Sequence, residues 1–398
     1  MHTNKQILEI LGRKTELFNQ DLEKSDFEIR DKIKESSFLI LGAAGSIGKA
    51  ISKEILERNP RLVHLVDISE NNLVSIVREL RSNFLTSKSN FESFCLDIGS
   101  QIFSKFLKNK KYDYVLNLSA MKHVRSERDP FTLMRMLKTN IHNSLKVIDD
   151  LEDRLPTKYF CVSTDKASNP VSLMGASKRI MEICLFNNKN DIPISMSRFA
   201  NVAFSDGSLL DGFMHRIQRE EPISAPKDIK RYFITPKESG LLCLFSSILG
   251  KQNQIFFPND PREMNLLNFD QIAKNLIEKI GFIPHECESE REAVYEAKKL
   301  IHSGKWPCYF FESDTSGEKS FEEFYTEKEE IDLTKFSQIG IVNSKFTKNK
   351  DELKNFFQEI ELIENKNSWN MEDLVSIFSN FLPEFKHLAR DSNLDQKL

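Results

Sequence analysis

The chain has 398 residues, of which 40% are hydrophobic and 29% charged, and this composition is typical of a folded protein with a sizeable core. Its formal net charge of −3 gives no electrostatic reason to expect nucleic acid or an anionic membrane as a partner. The amino-terminal residues lack a signal-like apolar run, no run reaches the roughly 20 residues that span a bilayer, and the six cysteines lack metal-ligand spacing. We therefore expect a cytoplasmic protein with reduced thiols, no membrane insertion and no metal site.

The first predicted element is a helical segment over residues 4–34, where apolar residues recur at helical spacing among charges. Because it precedes the first strand, we expect an extension that packs on the sheet or on another subunit. Short apolar runs then alternate with helical patterns, which is typical of a parallel sheet covered on both faces. The predicted strands are residues 37–41, 62–66, 91–97, 114–118, 159–163 and 194–199, and the predicted helices are 46–58, 69–84, 130–152 and 175–187.

Beyond residue 200 the alternation weakens. Residues 203–250 predict loops with two helices, and residues 254–257 predict a late strand that returns to the sheet. Further helices are predicted at 267–281, 288–303, 350–362 and 371–380. Residues 312–330 carry many Glu and Lys and predict a solvated or mobile surface segment.

These elements predict an α/β protein built on a Rossmann-type, doubly wound parallel sheet. We expect a helical extension over residues 1–36, a dinucleotide-binding domain over 37–202, a smaller substrate-binding lobe over 203–310 and a carboxyl-terminal extension over 311–398.

A glycine-rich turn at residues 42–48, Gly-Ala-Ala-Gly-Ser-Ile-Gly, follows the first strand and opens a helix. Gly42 permits the tight turn, Gly45 lets the backbone approach a pyrophosphate, and Gly48 allows close packing of helix against strand. The N–H groups at the helix start, Ser46 and Ile47, then face the phosphates. The pattern predicts a dinucleotide site.

Asp67 ends the second strand, 19 residues after Gly48. A carboxylate there can accept both adenosine ribose hydroxyls and repels a 2′-phosphate, and no Arg or Lys follows it directly, so NAD is favoured over NADP. Asp97, which closes the third strand, is either a ligand of the adenine amino group or an ordinary surface carboxylate. The predicted cofactor site also includes Ile98, Ser119, Ala120, Lys122, Asn140 and Lys178.

Ser163-Thr164-Asp165-Lys166 follows the fifth strand, and Lys178 lies in the next predicted helix. The carboxyl ends of strands line the ligand crevice of a doubly wound sheet, so these groups are expected beside the nicotinamide. A hydroxyl, a carboxylate and two ammonium groups can combine proton and hydride transfer. Surface ion pairs are the alternative interpretation.

This stretch, residues 163–178, resembles the active-site segment of extended short-chain dehydrogenase/reductases that act as nucleotide-sugar 4,6-dehydratases. More narrowly it is similar to the N-acetylglucosamine 4,6-dehydratases of polysaccharide and nonulosonic acid biosynthesis. The resemblance covers about residues 37–270, and further stretches that carry it in order and spacing are 119–124, 138–140, 198–202, 205–208 and 231–235.

Met174 departs from the usual pattern of the family, and this difference decides the subtype. Most short-chain dehydrogenases have Tyr four residues before the catalytic Lys, and a thioether cannot move a proton. Either the site is inactive, or acid–base work has moved to Thr164, Asp165 and Lys166. The resemblance favours the second interpretation, because the subgroup that retains configuration at C5 also has Met here.

The resemblance implies a three-part mechanism. NAD⁺ accepts hydride from C4 of the hexosamine while Thr164 relays the hydroxyl proton. Neutral Lys166 then removes the C5 proton as Asp165 protonates the departing 6-hydroxyl, and the hydride returns to C6. Lys178 holds the nicotinamide ribose. The product is a 4-keto-6-deoxy sugar, with no net redox change.

The resemblance further implies that Asn201 and Arg231 meet the substrate diphosphate, since Arg can bind phosphate oxygens through two N–H groups. The remaining predicted substrate contacts are Lys122, His123, Ser208 and Arg262. Asp206 stands where the family often has Arg, so one cationic contact is absent. The nucleotide, UDP or GDP, is left open.

Two alternatives remain at this point. A nucleotide-sugar 4-epimerase would use the same NAD but needs no acid–base pair for C5 and C6. An NAD-binding assembly module without turnover is supported only by Met174. The amino-terminal helix and the 31 Phe residues favour a homo-oligomer, although the Phe residues also suit a core.

Overall fold

The computed structural model describes residues 3–84, 91–187, 191–260, 264, 266–313, 319, 321–345, 348–366 and 368–387. The helices are α1 (Asn4–Ile10), α2 (Asn19–Lys34), α3 (Ser46–Leu56), α4 (Glu70–Phe84), α5 (Gln101–Lys108), α6 (Pro130–Leu137), α7 (Asn143–Asp150), α8 (Leu173–Phe186), α9 (Leu209–Gln218), α10 (Pro236–Leu249), α11 (Phe269–Lys279), α12 (Glu290–His302), α13 (Lys350–Glu364) and α14 (Met371–Phe381). The strands are β1 (Ser37–Leu41), β2 (Leu62–Asp67), β3 (Phe91–Cys95), β4 (Tyr114–Asn117), β5 (Lys158–Thr164), β6 (Ile194–Phe199), β7 (Asn201–Val202), β8 (Ile223–Pro226), β9 (Lys230–Arg231), β10 (Phe233–Ile234), β11 (Gln254–Pro258), β12 (Leu267–Asn268), β13 (Ile283–Glu286), β14 (Lys305–Phe311), β15 (Glu330–Asp332) and β16 (Ile339–Asn343).

The central sheet has the strand order β15-β16-β11-β6-β5-β4-β1-β2-β3. Its strands from β3 to β11 run parallel, whereas β16 pairs antiparallel with β11 and β15 pairs antiparallel with β16. Every residue of β1, β4 and β6 is buried, as expected for parallel strands covered on both faces. The predicted Rossmann-type α/β architecture is confirmed.

The sheet register aligns the ends of the strands that carry the predicted motifs. Leu41 of β1 is opposite Asn117 of β4, and Thr164 of β5 is opposite Phe199 of β6. Because these strands run parallel, the turns that follow them lie at one edge of the sheet. The topology therefore brings the glycine-rich turn and the Thr164–Lys166 segment to the same crevice.

Two apolar cores hold the elements together. The larger surrounds the central sheet and includes Phe residues of α13 and α14, while the smaller joins α9, α11, β8 and β14 to Ile7 and Ile10 of α1. Most of the bulkiest fully buried side chains are Phe. The high Phe content is therefore explained in large part by these cores.

The amino-terminal segment corrects one prediction, since residues 4–34 form two helices rather than one. Gly12 adopts φ +67°, a conformation that ends α1, and the chain then turns inward before α2. Arg13 lies in this turn and binds the buried Glu238 of α10, with Nη1 3.0 Å from Oε2. The backbone N–H of Leu17 donates to the same carboxylate. The extension therefore packs on its own chain.

A second anchor joins the extension to the far edge of the sheet. The buried carboxylate of Asp21 in α2 accepts the backbone N–H groups of Ser337 and Gln338, at 2.6 and 2.7 Å. These residues lead directly into β16. The amino-terminal helices thus fix a strand that is distant in sequence.

One further helix prediction needs correction, and several elements were not predicted. The helix predicted over 130–152 is α6 and α7 joined by a π-helical turn at Lys138–His142, and α5 was not predicted. The strands β8, β13, β14, β15 and β16 were also not predicted.

The described part of the chain contains no helix that is both long and apolar enough to cross a membrane, and no group of His, Cys, Asp and Glu there could hold a metal ion. All six cysteines are free, and Cys95 alone among them is exposed.

Arg13→Met should lower the free energy of unfolding by about 3 kcal/mol, because it leaves the buried Glu238 carboxylate without its cationic partner. Urea unfolding measures the difference. Arg30→Met is the matched control, since Arg30 forms an exposed ion pair with Asp26 whose loss should cost less than about 1 kcal/mol. Equal effects of the two substitutions would contradict the assigned role of Arg13.

Candidate active site

The glycine-rich turn brings β1 and α3 into close contact. Gly42 has φ +73°, and a Cβ added to Gly48 would lie 2.2 Å from the carbonyl oxygen of Gly42. No larger residue fits at Gly48 without moving α3. Gly45 caps α3 without a side-chain hydrogen bond from the described residues. The helix therefore begins with backbone N–H groups that a phosphate can bind.

Asp67 lies at the end of β2 beside this turn. Its Oδ2 accepts the N–H of Ala44 and its Oδ1 accepts the N–H of Ser69, both at 2.9 Å. Each carboxylate oxygen retains a further lone pair. The side chain is thus held in place by the phosphate-binding turn and can still accept two ribose hydroxyls, which fits the predicted NAD site.

A loop at residues 205–208 contacts the glycine-rich turn. The backbone N–H of Asp206 donates to Ser46 Oγ at 2.8 Å, and Lys122 Nζ donates to Ser205 Oγ at 3.4 Å. The ring of His123 lies against Gly207, where an added Cβ would be 3.1 Å from the ring. This loop joins residues that the sequence assigns to the cofactor with residues that it assigns to the sugar.

Thr164, Asp165 and Lys166 meet at one carboxylate oxygen. Asp165 Oδ1 accepts the Thr164 hydroxyl at 2.9 Å and lies 3.2 Å from Lys166 Nζ. Thr164 ends β5, and a short 3₁₀ turn at Asp165–Ala167 positions the other two. The Asp165 side chain is buried, while the Lys166 side chain is partly exposed. A hydroxyl, an acid and a base are therefore joined in one hydrogen-bonded unit.

The predicted solvated segment at residues 312–330 contributes to this site, which corrects the sequence interpretation. Glu322 is only 4% exposed, and its Oε1 lies 3.9 Å from both Lys166 Nζ and an Nη atom of Arg231. Lys319 Nζ lies 3.8 Å from Oε2 of the same carboxylate. No local signal distinguishes Glu322 from the exposed Glu323 beside it, so the sequence could not have identified it.

A buried ion network lies beside β5, the strand that ends at Thr164. The fully buried Arg198 of β6 binds Glu182 of α8 and Glu329, with N–O distances between 2.7 and 2.9 Å. Arg179 also contacts both carboxylates. Ser163 donates its hydroxyl to Glu182 at 2.6 Å, so the network fixes the residue that precedes Thr164.

The electrostatics of Glu329 follow from this network. Burial alone would raise the pKa of Glu329, but the hydrogen bonds and charge of Arg198, with the charge of Arg179, outweigh it and lower the pKa to about 2. Glu329 is therefore a strongly held anion, which anchors its segment to the sheet.

Lys178 and Met174 occupy the first turns of α8. Lys178 is buried, its Nζ lies 3.2 Å from Met181 Sδ, and burial lowers its pKa although Cys161 and Glu182 act in the opposite direction. The structure does not join Lys178 to Asp165 or Lys166 by a hydrogen bond.

Met174 is buried in the main apolar core, and its backbone N–H donates to Glu127. Its side chain fills space.

Asn140 lies in the π-helical turn and organises the loop after β4. Its Oδ1 accepts the N–H of Met121 at 2.9 Å, and its Nδ2 donates to the carbonyl of Met121 and the hydroxyl of Ser177. Asn140 therefore supports residues 119–122 through their backbone.

The other predicted residues are placed as follows. Asp97 is exposed and accepts the N–H of Gly99, while Ile98 is buried and Ser119 and Ala120 are partly buried after β4. Asn201 belongs to β7 beside β10. The Ser208 hydroxyl caps α9, which a purely structural residue would also do. Arg262 lies outside the described residues.

Residues 38–344 match the family described as "Polysaccharide biosynthesis protein". The chain is 29% identical to an uncharacterized membrane protein of Methanocaldococcus jannaschii, over 84% of this chain and 99% of the relative. It is 31% identical to the UDP-N-acetylglucosamine 4,6-dehydratase (inverting) of Campylobacter jejuni, over 61% of this chain and 73% of the relative. Among solved structures, Pen from Bacillus thuringiensis has the same fold, with a TM-score of 0.63 and 21% identity over 83% of this chain and 99% of that chain. In two polysaccharide biosynthesis relatives, from Bacillus subtilis and Staphylococcus aureus, the match covers 48% and 45% of the relative's length.

Glu329→Gln should lower the free energy of unfolding at pH 7 by on the order of 2–3 kcal/mol, because it removes the anion between Arg198 and Arg179. The pKa of Glu329 is about 2 in the folded protein, below its ordinary value of 4.5. Its stabilisation is therefore complete above about pH 4.5 and is lost as the pH falls toward 2. Urea unfolding of both proteins between pH 7 and pH 3.5 should show a difference that narrows below pH 4.5. The control Glu323→Gln should show little difference at any pH, and a pH-independent gap for Glu329→Gln would refute the assignment.

Gly48→Ala should destabilise the fold by about 2 kcal/mol, because the new methyl group overlaps the Gly42 carbonyl, and should reduce the NAD that copurifies with the protein. Thermal unfolding and absorbance of the released nucleotide measure the two effects. Gly212→Ala is the control, since no atom lies within 4 Å of an added Cβ in α9; it should stabilise the helix by up to about 1 kcal/mol and keep the NAD.

Proposed function

Because the chain belongs to the polysaccharide biosynthesis family of extended short-chain dehydrogenase/reductases, whose members include nucleotide-sugar dehydratases and epimerases, we propose that it is an NAD-dependent 4,6-dehydratase. Its proposed substrate is a nucleotide-activated N-acetylglucosamine, and its product the 4-keto-6-deoxy sugar. The proposed role of this product is as a precursor of a surface polysaccharide or nonulosonic acid. The proposed configuration at C5 is the retained one, on the strength of Met174.

The contact between Asp165 and Lys166 carries this proposal. Removing the C5 proton requires a neutral amine, and expelling the 6-hydroxyl requires a protonated acid. Asp165 Oδ1 and Lys166 Nζ lie 3.2 Å apart, so a neutral Lys166 and a protonated Asp165 would present the base and the acid side by side. An epimerase needs no such pair.

The residues around the turn support NAD as the bound group. When bound, NAD supplies reversible hydride transfer with the sugar. Gly48 permits the close approach of α3, the uncapped start of α3 would hold the pyrophosphate, and Asp67 would accept the ribose hydroxyls. Lys178, whose Nζ contacts Met181 Sδ, would hold the nicotinamide ribose.

The remaining proton steps use the same three side chains. Thr164 receives the 4-hydroxyl proton as it passes its own to Asp165, to which it is already hydrogen-bonded. Asp165 delivers this proton to the departing 6-hydroxyl, and water leaves. Lys166 takes the C5 proton, its ammonium protons exchange with water, and it delivers one proton back to C5 when C6 is reduced. The protein therefore ends the cycle in its starting protonation state.

Arg231 and Asn201 are the proposed ligands of the diphosphate. Arg231 ends β9 within the second lobe, is 3% exposed and lies across Glu322 from Lys166. A diphosphate at Arg231 thus places the attached sugar toward the base.

Lys166→Ala should abolish formation of the 4-keto product and leave NAD bound, because the base is lost and the cofactor contacts are intact. The measurement is incubation with UDP- and GDP-N-acetylglucosamine in deuterated water, followed by mass and NMR analysis. The wild-type product should lose water and carry deuterium at C5.

The matched control is Lys298→Ala, which removes an exposed lysine of α12 and should not alter turnover. Wild-type turnover in Lys166→Ala would refute the assigned base. A wild-type product that is only a C4 epimer, without loss of water, would refute the dehydratase itself.

A further inference from the structure

One buried carboxylate lies among three cations at the base of the crevice. Glu322 is within 4 Å of Lys166, Arg231 and Lys319, and the Arg231 side chain is as buried as the carboxylate. Asp165 already forms the shorter ion pair with Lys166. Glu322 is therefore chiefly the counter-ion of Arg231 and Lys319.

The same carboxylate is weakly held. Its Oε2 is buried without a hydrogen-bond partner among the described residues, and its ion-pair distances are 3.8 to 3.9 Å. Burial raises the pKa of Glu322, and the charge of Asp165 adds to the rise, against the opposing charges of Lys166, Arg231 and Lys319. Glu329, seven residues further along, instead accepts short hydrogen bonds from Arg198 and Arg179. A buried anion with so few hydrogen bonds is costly to maintain.

We propose that Glu322 is a built-in counter-ion of an anion-binding site formed by Arg231 and Lys319, and that a phosphate group of the substrate replaces it on binding. The diphosphate of a nucleotide sugar carries two negative charges, which match these two cations. Lys319 is then a specificity-determining residue that sequence reasoning missed. This inference rests on the proposed function only for the identity of the anion.

If a phosphate replaces Glu322 at this site, removing Glu322 should change the affinity for phosphate in a direction that damage to the fold would not produce. A carboxylate that competes with the substrate phosphate weakens phosphate binding, so its removal should strengthen binding. Loss of a merely structural residue would weaken it.

The experiment is isothermal titration of the NAD-loaded protein with UDP, GDP and inorganic pyrophosphate. Glu322→Gln, which keeps the shape and removes the charge, should bind pyrophosphate and the preferred nucleotide about tenfold more tightly, a factor of ten being 1.4 kcal/mol. Glu323→Gln removes an exposed carboxylate one position away and should bind like the wild type. Unchanged or weaker binding by a folded Glu322→Gln would overturn the proposal.

A second variant keeps the test decisive if Glu322→Gln does not fold. Lys319→Met should weaken pyrophosphate and nucleotide binding about fivefold, whereas Lys328→Met, at an exposed position, should not. Equal affinities of these two variants would contradict the site. Turnover of the sugar nucleotides by the wild type is measured separately. If no 4-keto product forms but Glu322→Gln binds the anions more tightly, the dehydratase proposal is refuted and the anion site is retained.

Discussion

The buried Arg198 guanidinium imposes the constraint on which the candidate site at the edge of the sheet depends. A charge with no exposed surface is tolerated only when paired and hydrogen-bonded, and Arg198 obtains this from Glu182, Glu329, the hydroxyl of Ser168 and the carbonyl of Phe324. These partners belong to α8 and to two loops, whereas Arg198 itself lies in β6. The arginine can be buried only if all of these parts are in place together, so the site is assembled by the same interaction that stabilises it.

Glu322 and Glu329, in the segment before β15, show that burial alone does not determine the pKa of a carboxylate. Glu322 and Glu329 are similarly inaccessible, yet one has its pKa raised and the other lowered. The difference is hydrogen bonding, because Glu329 meets two guanidinium groups at short range and Glu322 meets three cations only at about 3.9 Å. One end of the segment is thus anchored, and the other presents an exchangeable charge to the crevice.

The parts of the site that could be predicted from the sequence are those with local causes. The glycine-rich turn needs its glycines within seven residues, and the strand-end position of Thr164–Lys166 follows from an apolar run that stops there. Glu238 and Glu329 could not be found in this way, because their partners Arg13 and Arg198 are 225 and 131 residues distant. Glu329 lies in a charged run, where a glutamate is usually solvated, and only tertiary pairing made it an exception.

The amino-terminal extension acts on the site through the same kind of distant pairing. Asp21 fixes the backbone that enters β16, Arg13 fixes α10 at Glu238, and α10 packs against α3, the helix that opens at the glycine-rich turn. β16 is paired with β15, which begins at Glu330, directly after Glu329. The extension thus holds both sides of the crevice, the turn at one side and the glutamate segment at the other, although it lies outside the residues that carry the family resemblance. Because these contacts involve buried charges with defined partners, losing the extension would leave the Glu238 carboxylate and the N–H groups of Ser337 and Gln338 without these partners. It would also uncover apolar surface, and the two sides of the site would lose their common support.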